Sequence, residues 1–127
     1  MKNFILTLSL LVISSLSFSQ NQGNRYMFTG KLIASPSNIT TCDTDKIAAV
    51  FEFEVQMISD NAYTAQNIAI IVVCPAGLGA DYLKVGSTYK MELFDDNTDT
   101  FTIINESVLD NYSLTYNYYA GDIRRID

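Results

Sequence analysis

Between Ile47 and Ile58 the chain alternates with a period of two: Ile47, Ala49, Phe51, Phe53, Val55 and Met57 are apolar, while Glu52, Glu54 and Gln56 are polar. Successive side chains of an extended chain point to opposite faces, so this pattern describes a strand with one packed and one wet face. The odd-numbered positions from 47 through 57 are expected to point inward together. After the first twenty residues no window of about twelve residues keeps a helical period, so the expected class is all-β.

Other segments fit the same class. Arg25 to Ala34 alternates Tyr26, Phe28 and Leu32 against Thr29 and Lys31, and Gly30 interrupts it where a strand would bend or bulge. Residues 68–73 are apolar without a break, the mark of a strand covered on both faces and hence of the sheet centre. Thr88 to Phe94 places Tyr89, Met91 and Leu93 inward and Lys90 and Glu92 outward. Residues 100–104 are β-branched or aromatic, and residues 123–126 could add a short last strand. Polar, turn-rich stretches separate these runs, and residues 80–83 could form a single helical turn.

The opening residues have a different character. Lys2, an apolar stretch over residues 4–13, and the small residues Ser17 and Ser19 follow the order of a secretory signal peptide, with cleavage expected before Gln20. The apolar stretch is shorter than the roughly 20 residues of a membrane-spanning helix. Two segments are therefore expected: a signal over residues 1–19, and one domain over residues 20–127. No second long apolar stretch occurs, so an exported chain, periplasmic or extracellular and free of the membrane, is expected.

Removing the signal leaves 108 residues with a net charge of −7, against −6 for the whole chain. That sign repels phosphate backbones and anionic membranes, which argues against a generic nucleic-acid role. Cys42 and Cys74 are the two cysteines, and in an oxidising compartment they are expected to pair. Closing such a loop stabilises a fold by roughly 3–4 kcal/mol on the chain-entropy model. If the first three strands run up, down and up, both cysteines fall at one end of the sheet.

The run over residues 83–93, LKVGSTYKMEL, follows a curved strand with a central glycine and two long strands, and this order resembles an OB-fold. Small secreted bacterial domains of that kind carry a similar Lys-Val-Gly-x-x-Tyr phrase before the fourth strand. The resemblance implies a five- to six-stranded antiparallel barrel of Greek-key type, with a β-sandwich as the alternative, and a binding face on the second and third strands and adjoining loops. It implies no particular ligand. Glu52 and Glu54 on the polar face of the second strand make that face a poor match for single-stranded DNA.

Asp95, Asn97, Asp99 and Glu106 match the oxygen-ligand spacing of a calcium loop, although Thr100 stands where such loops have glycine. An acidic hairpin turn is the simpler reading, and no cofactor is expected unless calcium. Tyr112, Tyr116, Tyr118 and Tyr119 offer flat contact area for a sugar or a protein, or serve simply as good strand residues. The absence of histidine excludes Ser-His and Cys-His nucleophiles, leaving at most a carboxylate pair such as Glu92 with Asp95 or Asp96. Asn38, Asn105 and Asn111 begin glycosylation triplets, which matter only in a host with that pathway, and the signal has a bacterial look.

The sequence therefore supports a non-enzymatic exported binding module for a protein or a glycan, expected to be a monomer. A calcium-dependent structural or adhesion domain is the alternative, and a carboxylate hydrolase is third.

Overall fold

A computed structural model describes residues 23–43, 46–96 and 101–127. The expected signal over residues 1–19 lies outside the described residues. Six strands form in the order β1 (Arg25–Ala34), β2 (Ile47–Ile58), β3 (Asn67–Val73), β4 (Thr88–Phe94), β5 (Thr102–Ile103) and β6 (Tyr118–Arg125). The ranges of β1, β2 and β4 are those the alternation marks out. β5 is shorter than residues 100–104, and β6 begins well before residue 123.

Five strands close into a barrel in the circular order β1, β2, β3, β6, β4 and back to β1, and β5 adds to β2 outside the ring. The all-β barrel is the architecture expected from the sequence, but its pairing is mixed. Alternating directions around a closed ring require an even number of strands, so a five-stranded ring must contain a parallel pair. That pair is β3 with β6, where Ile70 faces Tyr118 and Ile71 faces Tyr119. β5 is also parallel to β2. The other pairings are antiparallel.

Inside the ring pack Phe28 and Leu32 from β1, Phe51 and Phe53 from β2, Ile68 and Ile70 from β3, Tyr89, Met91 and Leu93 from β4, and Tyr118 from β6. Phe51 and Phe53 are 0% exposed. Phe53 meets Phe28 and Tyr89 edge to face, with centroids 5.7 and 6.2 Å apart, a geometry that aligns ring edges with the negative ring faces. Tyr89 keeps its hydroxyl satisfied by donating to the Tyr82 carbonyl at 2.5 Å and accepting from the Lys84 amide at 2.7 Å. Gly86 (φ +98°) turns the intervening link, and its amide reaches the Leu32 carbonyl at 2.8 Å. The Val-Gly-x-x-Tyr phrase thus anchors the entry to β4 from inside the barrel.

A second apolar cluster lies on the outside of β2 and β3. Ala48, Val50, Ala69 and Ile71 are covered there by Phe101, Ile103, Val108, Leu109, Tyr112, Leu114 and Tyr119. This cover explains why residues 68–73 are apolar throughout: Ile68, Ile70 and Val72 face the ring, and Ala69 and Ile71 face the lid. It also explains why the burial of β2 does not alternate over Ala48, Ala49 and Val50, all of which are buried.

The inward row of β2 ends earlier than its sequence period indicates. The β1–β2 register shifts between Thr29 and Gly30, so that Gly30 pairs with Val55 while Thr29 pairs with Met57. Gln56 is the extra residue, and the phase of β2 reverses beyond it. Ile58 packs against the core and Met57 is 42% exposed, which corrects the expectation of an inward Met57. Gly30 is required at the bulge, because a Cβ there would run into the Phe28 ring and sit 2.7 Å from the Glu54 carbonyl oxygen.

Cys42 and Cys74 are bonded, with Cα atoms 5.5 Å apart, and tie the loop after β1 to the end of β3. Both cysteines lie at one end of the sheet, as the up-down-up order requires. The 3₁₀ turn Pro75–Leu78 follows the bridge, where a helical turn was expected only over residues 80–83.

Candidate functional site

The long strand β2 changes partners along one edge. Its lower part pairs with β1 up to Glu52, which faces Ala34, and its first residues pair with β5. Between these two partners lies Val50, whose amide and carbonyl have no strand beside them. Asn105 fills that position: its Oδ1 accepts from the Val50 amide at 2.7 Å, and its Nδ2 donates to the Val50 carbonyl at 2.9 Å. A carboxamide carries the same donor and acceptor as a peptide group, so one side chain stands in for a missing strand residue.

Because a side chain replaces a strand there, the surface is open. A groove of about 470 Å³ lies between the loop after β1 and the segment after β5. Ser35, Ser37, Asn38 and Thr40 form one wall, Ile104 and Val108 the other, and Glu52 and Asn105 contribute to the floor. The lining mixes hydroxyls and amides with the apolar Pro36, Val50, Ile104 and Val108, and carries one carboxylate. Glu52 accepts the Tyr112 hydroxyl at 2.7 Å. Burial, followed by the hydrogen bond to Glu52, pushes the Tyr112 phenol well above its usual range, so Tyr112 stays a neutral donor.

The four tyrosines separate into different roles. Tyr112 stands beside the groove through Glu52. Tyr119 packs edge-on against Phe101 at 5.7 Å within the lid. Tyr116 and Tyr118 go to the opposite end of the barrel, where β1 and β6 begin and β2 finishes, and both donate to Oδ2 of Asp60, Tyr118 at 2.7 Å. Tyr118 is only 3% exposed. Its hydroxyl and ring are committed to the interior, as is the hydroxyl of Tyr116.

Asp60 closes that end of the barrel and was not singled out from the sequence. It is 6% exposed. Burial works against its charge, but the hydroxyls of Tyr116 and Tyr118 and the Ala62 amide outweigh burial and hold the carboxyl below its ordinary range. Tyr116 also meets the Tyr26 hydroxyl at 3.1 Å, with the two rings stacked at 6.3 Å. Tyr26 in turn donates to Asp95 at 3.0 Å. An aspartate in the turn after β2, Ser59-Asp60-Asn61, carries no local mark that three donors will converge on it.

Of the calcium-spaced residues, Asn97 and Asp99 lie outside the described residues. Asp95 accepts the Asn24 amide on one oxygen and the Tyr26 hydroxyl and Asn24 Nδ2 on the other, which fastens the start of β1 to the end of β4. Glu106 is exposed at the head of the 3₁₀ turn Glu106–Asn111. Among the described residues, no group of three or more Asp, Glu, Cys or His side chains could hold a metal ion. Glu92 lies on the outside of β4, 3.5 Å from Arg25. Asn105 also begins one of the glycosylation triplets, and its carboxamide nitrogen is engaged by Val50.

Among the described residues no helix is long and apolar enough to cross a membrane. No protein-family model, curated protein or solved structure matches the chain.

Proposed function

We propose that this chain is an exported, non-enzymatic binding module of OB-fold type whose ligand lies in the groove over Val50 and Glu52. The observation that carries this reading is the gap along the β2 edge, spanned by the Asn105 side chain and walled by two loops. A strand in that place would leave no concavity. The loop after β1 and the segment after β5 border the groove and β2 floors it; the second strand and the loop adjoining it are where the OB resemblance implies a binding face.

The groove chemistry favours a neutral glycan over the other ligand classes. Hydroxyls and amides from Ser35, Ser37, Asn38 and Thr40 can donate to and accept from sugar hydroxyls, and Ile104 and Val108 offer an apolar wall for a sugar ring face. Glu52 repels phosphate and carboxylate groups at the same place. The residue order of the first nineteen positions supports the export part of this reading, as does a disulfide, which persists in oxidising compartments.

The test is a glycan array probed with the protein and with Ser37→Trp, which places an indole in the groove. Retention of a neutral glycan by the wild type and its loss in the variant is the expected outcome. Retention that Ser37→Trp leaves unchanged, or no retained glycan at all, overturns the glycan reading.

A further inference from the structure

The end of the barrel closed by Asp60 gathers four of the chain's eight tyrosines. Tyr118 meets Tyr116, Tyr63 and Tyr26 edge to face, with centroids 5.2, 5.8 and 6.0 Å apart. Edge-to-face contact is ordinary aromatic packing. Tyr26 and Tyr116 are arranged differently: their planes lie within 7° of parallel and their hydroxyl oxygens are 3.1 Å apart, so the edges that carry the oxygens lie side by side. Both residues are half-buried, which leaves part of each ring open to solvent.

The placement of hydrogens sharpens the difference. A phenol hydroxyl has one hydrogen to donate, and an ionised carboxylate can only accept. Tyr26 gives its hydrogen to Asp95 at 3.0 Å, and Tyr116 gives its own to Asp60. No hydrogen is then left between the two oxygens, and each phenol has a separate carboxylate in place to take its proton. A phenol that loses an electron becomes a strong acid, so its oxidation is eased where a base already holds the hydrogen bond.

The other two rings of the cluster each lack a condition. Tyr63 donates to the Asn67 main-chain carbonyl, a far weaker base than a carboxylate. Tyr118 donates to Oδ2 of Asp60, the oxygen that Tyr116 also uses, and one carboxylate takes one proton. Tyr118 also stands at 75° to Tyr26 and 68° to Tyr116, which turns its oxygen-bearing edge out of their planes. Separate proton acceptors and parallel planes coincide at Tyr26 and Tyr116.

We propose that Tyr26 and Tyr116 form an oxidative modification site, where two equivalents of a one-electron oxidant join the side chains into a dityrosine. Each equivalent takes one electron from one phenol, and the phenolic protons pass to Asp95 and Asp60, which release them to water. The two phenoxyl radicals pair through a carbon beside each oxygen, forming one C–C bond. The hydrogens on those carbons move to the oxygens and restore both aromatic rings, so the product has lost two hydrogens and the oxidant has gained two electrons. Holding the rings together turns radical coupling into an intramolecular step. Tyr26 belongs to β1 and Tyr116 lies just before β6, with β4 between those strands in the ring. The bond would close a span of 90 residues, against 32 for the disulfide, and so add to stability. The site does not depend on the glycan reading.

The test is photo-oxidation of the dilute protein with ruthenium tris(bipyridine) and persulfate, followed by intact mass, fluorescence and sequencing of the linked peptides. The expected product is a monomer two hydrogens lighter, with the blue fluorescence of dityrosine, a bond mapped between Tyr26 and Tyr116, and a raised thermal midpoint. Tyr26→Phe keeps the ring and should abolish this product, and Asp95→Asn removes the proton acceptor and should lower its yield. Tyr119→Phe, whose ring packs in the lid, should match the wild type. Protein unfolded in urea should lose the preference for this pair, which separates the folded geometry from the general reactivity of tyrosine. Bonds mapped to other tyrosines, a product formed only between molecules, or an equal yield from Tyr26→Phe, Asp95→Asn or the unfolded protein would each overturn the proposal.

Discussion

At the scale of single residues, two polar side chains carry more structure than their neighbours. Asp60 is a buried carboxylate kept ionised by three donors, and hydrogen bonds to a charged group contribute roughly 1.5–3 kcal/mol each. Asp60→Ala should therefore cost about 3 kcal/mol or more, measured by denaturant unfolding. Its folded pKa is depressed, so the stability it contributes is complete above the ordinary carboxylate value near pH 4 and is lost as pH falls through the folded value. The phenols of Tyr26, Tyr116 and Tyr118 are shifted the other way. Their contribution is complete below about pH 10 and drains away as pH rises beyond it. Unfolding free energy against pH should fall on both sides, and Tyr118→Phe should reduce the alkaline slope. Asn105→Ala leaves the Val50 amide and carbonyl without partners and should cost about 1–3 kcal/mol.

Among the elements, the bulge opposite Gly30 makes the sharpest prediction. If the phase of β2 reverses after Val55, Met57→Lys should change the thermal midpoint little, whereas Ile58→Lys should lower it strongly by placing a charge in the core. An uninterrupted alternation would give the opposite order. Gly30→Ala should destabilise by roughly 1–3 kcal/mol, since the added methyl meets backbone and a buried ring. Strands were legible where one face packs and one is wet, as in β1, β2 and β4. β6 was not, because the bulge at Asp122 (φ +49°) and Ile123, opposite Met91, breaks its alternation. The candidate site was legible only in part. Glu52 and the tyrosines could be named, but the Asn105–Val50 clamp joins positions 55 residues apart, and the Asp60–Tyr118 bond joins positions 58 apart. A lone asparagine or aspartate in a turn looks the same in sequence whether it faces water or a buried partner.

At the scale of the whole molecule, closure of the sheet, the bridge from Cys42 to Cys74 and the lid of residues 101–114 together create the groove. Loss of the bridge in Cys42→Ser/Cys74→Ser should lower stability by roughly 3 kcal/mol, measured by urea unfolding, and should loosen the loop wall of Ser35 to Thr40. With Asp95 engaged by Asn24 and Tyr26, the melting midpoint should be the same in calcium and in EDTA, and a rise in calcium would support the calcium-dependent reading. The proposed function places the ligand in the groove over Val50. Amide chemical shifts recorded while adding the glycan retained on the array test this directly. Movement should be confined to residues 35–40 and 104–108 and to the Asn105 side-chain amide. Movement centred on any other surface, with the Asn105 amide signals unchanged, would contradict it.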